Sequence, residues 1–344
     1  MGDWQRSKRR EDKNIVWETG SMRYLHDDHI RQIGIDWARL CSIVRDVLAI
    51  KDQGDCVHPL KPYLRFCDLR NRIIAMPAYV GGNVEMAGIK WIASFPANPE
   101  RGLPRANNTI ILNDPGSGEP LAFIHSGLLN GLRTAAVSGV MLAEYMNVRE
   151  LETVRLGLIG WGPIAQLHLA MCIALLGERL ERVCLYDVRG VDPATIPAEV
   201  RGITDIAADW RFAYRSANVV ATCTVSPERY INEPPAEGAL LLNVSLRDYL
   251  PASVAGVTAV VVDDWREVCR ENTDIELLHR ESGLQEQDVS TLADVALRGR
   301  LRELAGPVFF NPMGLGVFDI AIAGFYFREA ERLKVGIPLP RSER

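Results

Sequence analysis

The chain has 344 residues, 47% of them apolar, and a formal net charge of −5. That length has room for two domains with real cores. The mild acidity speaks against nucleic acid or an anionic membrane as a main partner, and no apolar run approaches the roughly 20 residues that a bilayer span needs.

Residues 1–21 are polar and basic, with SKRREDK carrying no apolar face, so they read as a disordered extension ahead of a natural start at Met22. Trp37, Leu40, Cys41, Val44, Val47 and Leu48 form a helical apolar stripe that stops at Gly54. Strand patterns follow: RIIAMPAYV, EMAGIKWIASF, TIILND and PLAFIHS, the last two joined by the turn Pro115-Gly116-Ser117-Gly118 as an antiparallel pair. Gly131 to Met146 has helical spacing. Beyond it, short apolar strands alternate with helical segments at Val154–Gly160, Arg182–Val188, Asn218–Val225, Gly238–Leu246 and Thr258–Asp263. That alternation predicts a parallel sheet covered on both faces. Pro193 and Pro197 leave room only for a short or irregular crossover helix before Ala217. A last strand, Pro307 to Phe310, precedes Asn311-Pro312-Met313-Gly314, and a helix over Val317–Leu333 returns to the first domain.

The most specific stretch is VRLGLIGWGPIA, Val154 to Ala165. An apolar strand runs into a glycine turn and then a helix. Gly160, Gly162 and Ala165 occupy the three positions of the dinucleotide fingerprint, with Pro163 and Ile164 opening the helix that faces the phosphates. Asp187 ends the next strand, where an acid grips ribose hydroxyls, so NAD is the expected cofactor; Arg189 is the residue that would instead suit NADP. Thr224, Asn243, Ser245 and Met313 sit towards or just past strand ends and are expected to line the same cofactor.

The first region is rich in cations: Lys61, Arg65, Arg72, Lys90 and Arg133. Lys90 stands among apolar residues in GIKWIASF, and Arg133 stands at the beginning of its helix, against the dipole preference. Both positions fit a carboxylate-binding cluster, with a salt bridge as the structural alternative. Asp248 follows a strand end and is a candidate acid–base group, with a helix cap before Leu250-Pro251 as its alternative. Asp263 and Asp264 read as capping or structural, and Asp319 as a cap or a cofactor-side contact. The seven cysteines and six histidines show no C-x-x-C pair and no ligand spacing. No metal is expected, and the thiols read as reduced, as in a cytoplasmic protein.

The motifs PLKPYLR, RIIAMP, GIKW, ILNDP, RTAAVS, NVSLRD, VVVDDW and NPMG together resemble the ornithine cyclodeaminase/μ-crystallin family over about Met22 to Gly336. The resemblance implies an α/β fold: a Rossmann-like NAD domain, 133–314, set within a split α+β substrate and dimerisation domain, 22–132 and 315–344. It implies a homodimer, substrate-carboxylate roles for Lys90 and Arg133, and catalytic roles for Asp248 and Lys90. Lys61 or Arg65 takes the remaining anchor position. Among the family's branches the motifs look closest to one that oxidises N-(2-amino-2-carboxyethyl)-L-glutamate to L-2,3-diaminopropionate and 2-oxoglutarate for siderophores. Other expectations within the family are ornithine cyclodeamination or ketimine and imine reduction, and, outside enzymes, a non-catalytic NAD(P)-binding protein.

Overall fold

The computed structural model describes residues 21–340, so the polar segment expected to be an extension lies, apart from Ser21, outside the described residues. Two sheets organise the chain. The first holds β1 (Ser21–His26), β2 (Cys56–Val57), β3 (Tyr63–Leu64), β4 (Arg72–Val80), β5 (Met86–Ser94), β6 (Ala106–Asn113), β7 (Pro120–His125) and β16 (Ile337–Pro340). Its order is β16-β1-β7-β6-β5-β4-β2, with β3 also on β4; only β1 and β7 run parallel. The sequence pattern found β4 to β7 but missed β1 and β16. Those two strands pair with each other from opposite ends of the described chain, a contact that no local pattern encodes.

The second sheet is wholly parallel. It comprises β8 (Val154–Ile159), β9 (Leu180–Tyr186), β10 (Thr204–Ile206), β11 (Val219–Thr222), β12 (Leu240–Asn243), β13 (Ala259–Val262), β14 (Ser290–Thr291) and β15 (Val308–Asn311). The order β10-β9-β8-β11-β12-β15-β13-β14 reverses direction between β8 and β11. Ligands of doubly wound sheets sit at such a switch point, outside the carboxyl ends of the strands. The crossover after Asp187 is irregular, as the prolines predict: two 3-10 turns lead to β10 and then to the short α5 (Trp210–Arg215).

Three long helices pack on one another and against the first sheet. They are α2 (Trp37–Asp52), preceded by the short α1 (Asp27–Ile33), then α3 (Gly127–Arg149), and finally α10 (Gly316–Leu333). Ser126 caps α3 by accepting from the Leu129 N–H at 2.9 Å. The helix therefore starts four residues before Gly131 and runs through the expected boundary at 132/133. Arg133 consequently lies in its second turn rather than at its beginning. α10 is buried on almost every side because it packs against β4, β5 and β6 while α2 covers it, which explains its apolar content all round. Around the parallel sheet lie α4 (Pro163–Leu176), α6 (Pro251–Val254), α7 (Trp265–Val268), α8 (Asp274–Ser282) and α9 (Leu292–Arg298). Among the described residues no helix is long and apolar enough to cross a membrane.

Candidate active site

At the switch point, Gly160 has φ +90°, and a Cβ there would lie 2.8 Å from the Cys223 carbonyl oxygen, so glycine is required on both counts. Gly162 is the N-cap of α4, without a side-chain cap, and space is open where its Cβ would stand. Ala165 is fully buried, which lets α4 pack closely on the sheet. An uncapped helix N-terminus behind an open glycine fits a pyrophosphate. Asp187 closes the turn: one oxygen accepts from the Trp161 N–H at 2.7 Å, the other from the Arg189 N–H at 2.8 Å. The acid is thus fixed beside the phosphate turn, and the Arg189 Nε leans on it at 3.4 Å. Behind the turn, buried His168 joins the Ile164 carbonyl (2.7 Å) to the Ser138 hydroxyl (3.0 Å) and so ties α4 to α3. Burial brings its pKa down to about 4, so the ring is neutral.

A cationic floor gathers where the first sheet meets α3 and α10. Lys90 lies on the same face of β5 as the β4 residue Met76 that it pairs with, beneath α10 and α3. Its Nζ donates to Asp319 Oδ1 at 2.9 Å and to Asn130 Oδ1 at 2.6 Å. The Arg133 Nε donates to the same Asp319 oxygen at 2.7 Å. Burial, aided by the Arg133 charge, lowers the Lys90 pKa to about 7 against the pull of Asp319. Burial alone would raise the Asp319 pKa, but the Arg133 and Lys90 charges outweigh it and hold it low. Lys61 joins from the segment before β3, its Nζ donating to the Gly314 carbonyl at 2.8 Å and lying 3.6 Å from Glu267. Gly314 is again a required glycine: φ is +80°, and a Cβ would meet the Arg133 guanidinium at 2.3 Å. Asp263 sets that turn by accepting from the Met313 and Gly314 N–H groups at 3.0 and 2.6 Å.

Asp248 sits past β12 and is 1% exposed. Its Oδ1 accepts from the Thr224 hydroxyl at 2.6 Å, and its Oδ2 from the Ser245 hydroxyl. Burial raises its pKa, partly offset by those hydroxyls. The loop is anchored by Asp274, whose Oδ2 accepts from the Asp248 and Tyr249 N–H groups, both at 3.2 Å.

The structure brings Lys61, Lys90 and Arg133 together, with Arg65 apart from them. The Arg65 guanidinium is diverted to Glu271 and lies partly in solvent. Thr224 and Ser245 hold Asp248 and border the switch point, and Met313 is fixed by its backbone. Asn243 is held inside the parallel sheet. It is fully buried, donating to Asp274 and Asn311 at 2.9 and 2.7 Å and accepting from Thr222 and Leu246, so its amide is spent inside the sheet. Asp248 is not a helix cap, since the N-cap of α6 is Leu250. Asp264 caps α7, and Asp263 is structural as expected.

Asp319 is not the cap of α10, which is Leu315; it is the counter-ion of Lys90 and Arg133. Its signal in the sequence is a lone acid inside GVFDIAIAGF, because an ionised group in so apolar a helix needs a partner.

Fold and site together define a dinucleotide-dependent oxidoreductase. Residues 32–332 match the ornithine cyclodeaminase/mu-crystallin family, and the chain belongs to it. It is 32% identical over 336 residues to the N-((2S)-2-amino-2-carboxyethyl)-L-glutamate dehydrogenase of Staphylococcus aureus, covering 92% of this chain and 98% of that one. Among solved structures it resembles Thermococcus litoralis Delta(1)-pyrroline-2-carboxylate reductase in complex with NADH and L-proline. The TM-score is 0.78 at 22% identity, over 92% of this chain and 100% of that one. An archaeal alanine dehydrogenase dimer with bound NAD gives a TM-score of 0.77 at 24% identity, over 94% and 100% of the two chains.

Proposed function

We propose that this chain uses NAD to oxidise the secondary amine N-(2-amino-2-carboxyethyl)-L-glutamate, and that hydrolysis of the resulting imine yields L-2,3-diaminopropionate and 2-oxoglutarate. The setting is siderophore or other specialised-metabolite synthesis in the cytoplasm. The Staphylococcus aureus relative, named for this substrate, supports the assignment. One observation carries it. Among the described residues Arg133 bonds through Nε alone, to Asp319, which leaves its terminal guanidinium nitrogens for a substrate carboxylate between Lys61 and Lys90.

NAD, when bound, supplies the hydride acceptor for the glutamate-side α-carbon. The protein does the rest. Lys61, Lys90 and Arg133 hold the carboxylate nearest that carbon and fix its orientation. Asp248, aimed by the Thr224 and Ser245 hydroxyls, takes the proton from the water that adds to the imine and returns one to the departing amine. We assign substrate binding to the unit of the first sheet and α10, and cofactor binding to the parallel-sheet unit. The outer face of the first sheet exposes Trp91 (40%) and Ile111 (36%), apolar groups that suit a homodimer contact.

Mass spectrometry of the products formed from the secondary amine and NAD tests the reaction. L-2,3-diaminopropionate and 2-oxoglutarate in equal amounts are expected. Their absence, with the enzyme folded and NAD bound, overturns the assignment.

A further inference from the structure

Beside the floor just described lies a second group of cations with no assigned role. Arg72 opens β4, and Arg105 directly precedes β6. The pairings Arg72–Ser94 and Ser94–Ala106 bring the two arginines to the same end of the first sheet. Arg247, adjacent to Asp248, approaches from the parallel-sheet unit within electrostatic reach of Arg72. Tyr63 lies between the two units, with the Arg72 guanidinium 5.9 Å and the Arg270 guanidinium 5.0 Å from its ring centre.

What these arginines lack is a carboxylate in direct contact. Among the described residues Arg72, Arg105 and Arg247 form no ion pair, and the Nε atoms of Arg72 and Arg105 are buried without a hydrogen-bond partner. Arg247 is pinned by neutral groups: its Nε and Nη2 donate to the Glu271 carbonyl at 3.2 and 2.9 Å, which orients the guanidinium without cancelling its charge. The nearby Glu271 carboxylate is taken by Arg65. Arg247 also feels the Asp274 carboxylate, but that group is ion-paired with Arg229. Three like charges gathered and partly buried, none with a carboxylate of its own, are costly unless a ligand supplies one. Arginine forks match a carboxylate in geometry as well as charge.

We propose that Arg72, Arg105 and Arg247 form a second anion subsite that takes the distal carboxylate of a dicarboxylic substrate. The subsite sits on the Asp248 side of the cleft and is separate from the Lys61–Lys90–Arg133 floor. It would make this chain select glutamate-like over alanine-like α-carbons. The inference rests on the reaction proposed above for which substrate it serves, but not for its chemistry.

The test is calorimetric titration of the NADH-loaded enzyme with 2-oxoglutarate and with 2-oxobutyrate, which lacks the distal carboxylate. The wild type is expected to bind 2-oxoglutarate about 30-fold or more tightly than 2-oxobutyrate, the scale of a charge-assisted pair. Arg72→Met and Arg105→Gln should each remove most of that preference while leaving 2-oxobutyrate binding as it was. Either variant should also melt no lower than wild type without ligand, because an unpartnered charge has been removed. A structural arginine would instead lower the melting temperature. Equal binding of the two acids by the wild type overturns the subsite, as does a preference that survives in whichever variant folds. Failure of the secondary amine to turn over, with the preference and its loss intact, would sink the reaction and leave the subsite standing.

Discussion

Lys90 and Arg133, 43 positions apart and on different elements, donate to one oxygen of Asp319, at 2.9 and 2.7 Å. The other oxygen, Oδ2, is buried without a partner. A single carboxylate on α10 thus positions two cations from β5 and α3. This contact ties the late helix to β5 of the first sheet and to α3.

Asp319→Asn keeps the shape but leaves two buried cations facing each other. Removing one partner of a buried pair costs about 3–5 kcal/mol, so the melting temperature should fall by many degrees. Dicarboxylates such as 2-oxoglutarate should restore part of it by supplying the missing charge. An unchanged melting temperature would show that the pair contributes little.

The lowered Lys90 pKa, about 7, predicts the pH dependence. Below that value the amine is charged and can hold a carboxylate; above it the charge is lost. Since kcat/KM reports groups of the free enzyme, it should fall about tenfold per unit as pH rises beyond about 7. In Lys90→Arg that limb should disappear, because a guanidinium stays charged. A limb unmoved in the variant would assign it to another group.

Asp248→Asn tests the acid–base role. Asparagine can still accept from Thr224 and donate to the Ser245 hydroxyl, so folding and NAD binding should survive. Turnover should drop by about 100-fold or more, the usual scale for general acid–base catalysis. Melting temperature and kcat measured on one preparation separate chemistry from structure; wild-type turnover would remove Asp248 from the mechanism.

Asp187→Ser probes cofactor choice. The carboxylate held between Trp161 and Arg189 should favour NAD by bonding ribose hydroxyls and repelling a 2′-phosphate. Without it, Arg189 is released to meet that phosphate, and the ratio of kcat/KM for NADP over NAD should rise. A ratio that stays constant would mean that other residues set the preference.

Gly314→Ala combines strain at φ +80° with a clash against the Arg133 guanidinium. Its effect should appear mainly as a raised KM for the amine substrate, with NAD binding preserved. A variant with wild-type KM would mean that Arg133 can move without cost.

The sequence by itself determined the parts whose signals are local. The Val154–Ala165 run of strand, glycine turn and helix declares the cofactor cradle, because each step rests on neighbouring residues and on backbone geometry. The alternating and continuous apolar runs likewise located most strands of both sheets. Lys90 stood out because a charge within GIKWI conflicts with its surroundings.

Only the tertiary structure decided which distant groups meet. That Lys61 joins Arg133 while Arg65 pairs with Glu271 depends on where Glu271 and Gly314 fall in space, and the burial of Asn243 depends on Asp274 and Asn311 closing around it. Asp319 acquired its role because α10 crosses the first sheet opposite Lys90 and Arg133. The pairing of β1 with β16 joins segments more than 300 residues apart. Electrostatic and hydrogen-bond partnerships act over a few ångströms of space, whatever their separation along the chain, so packing alone brings these partners together.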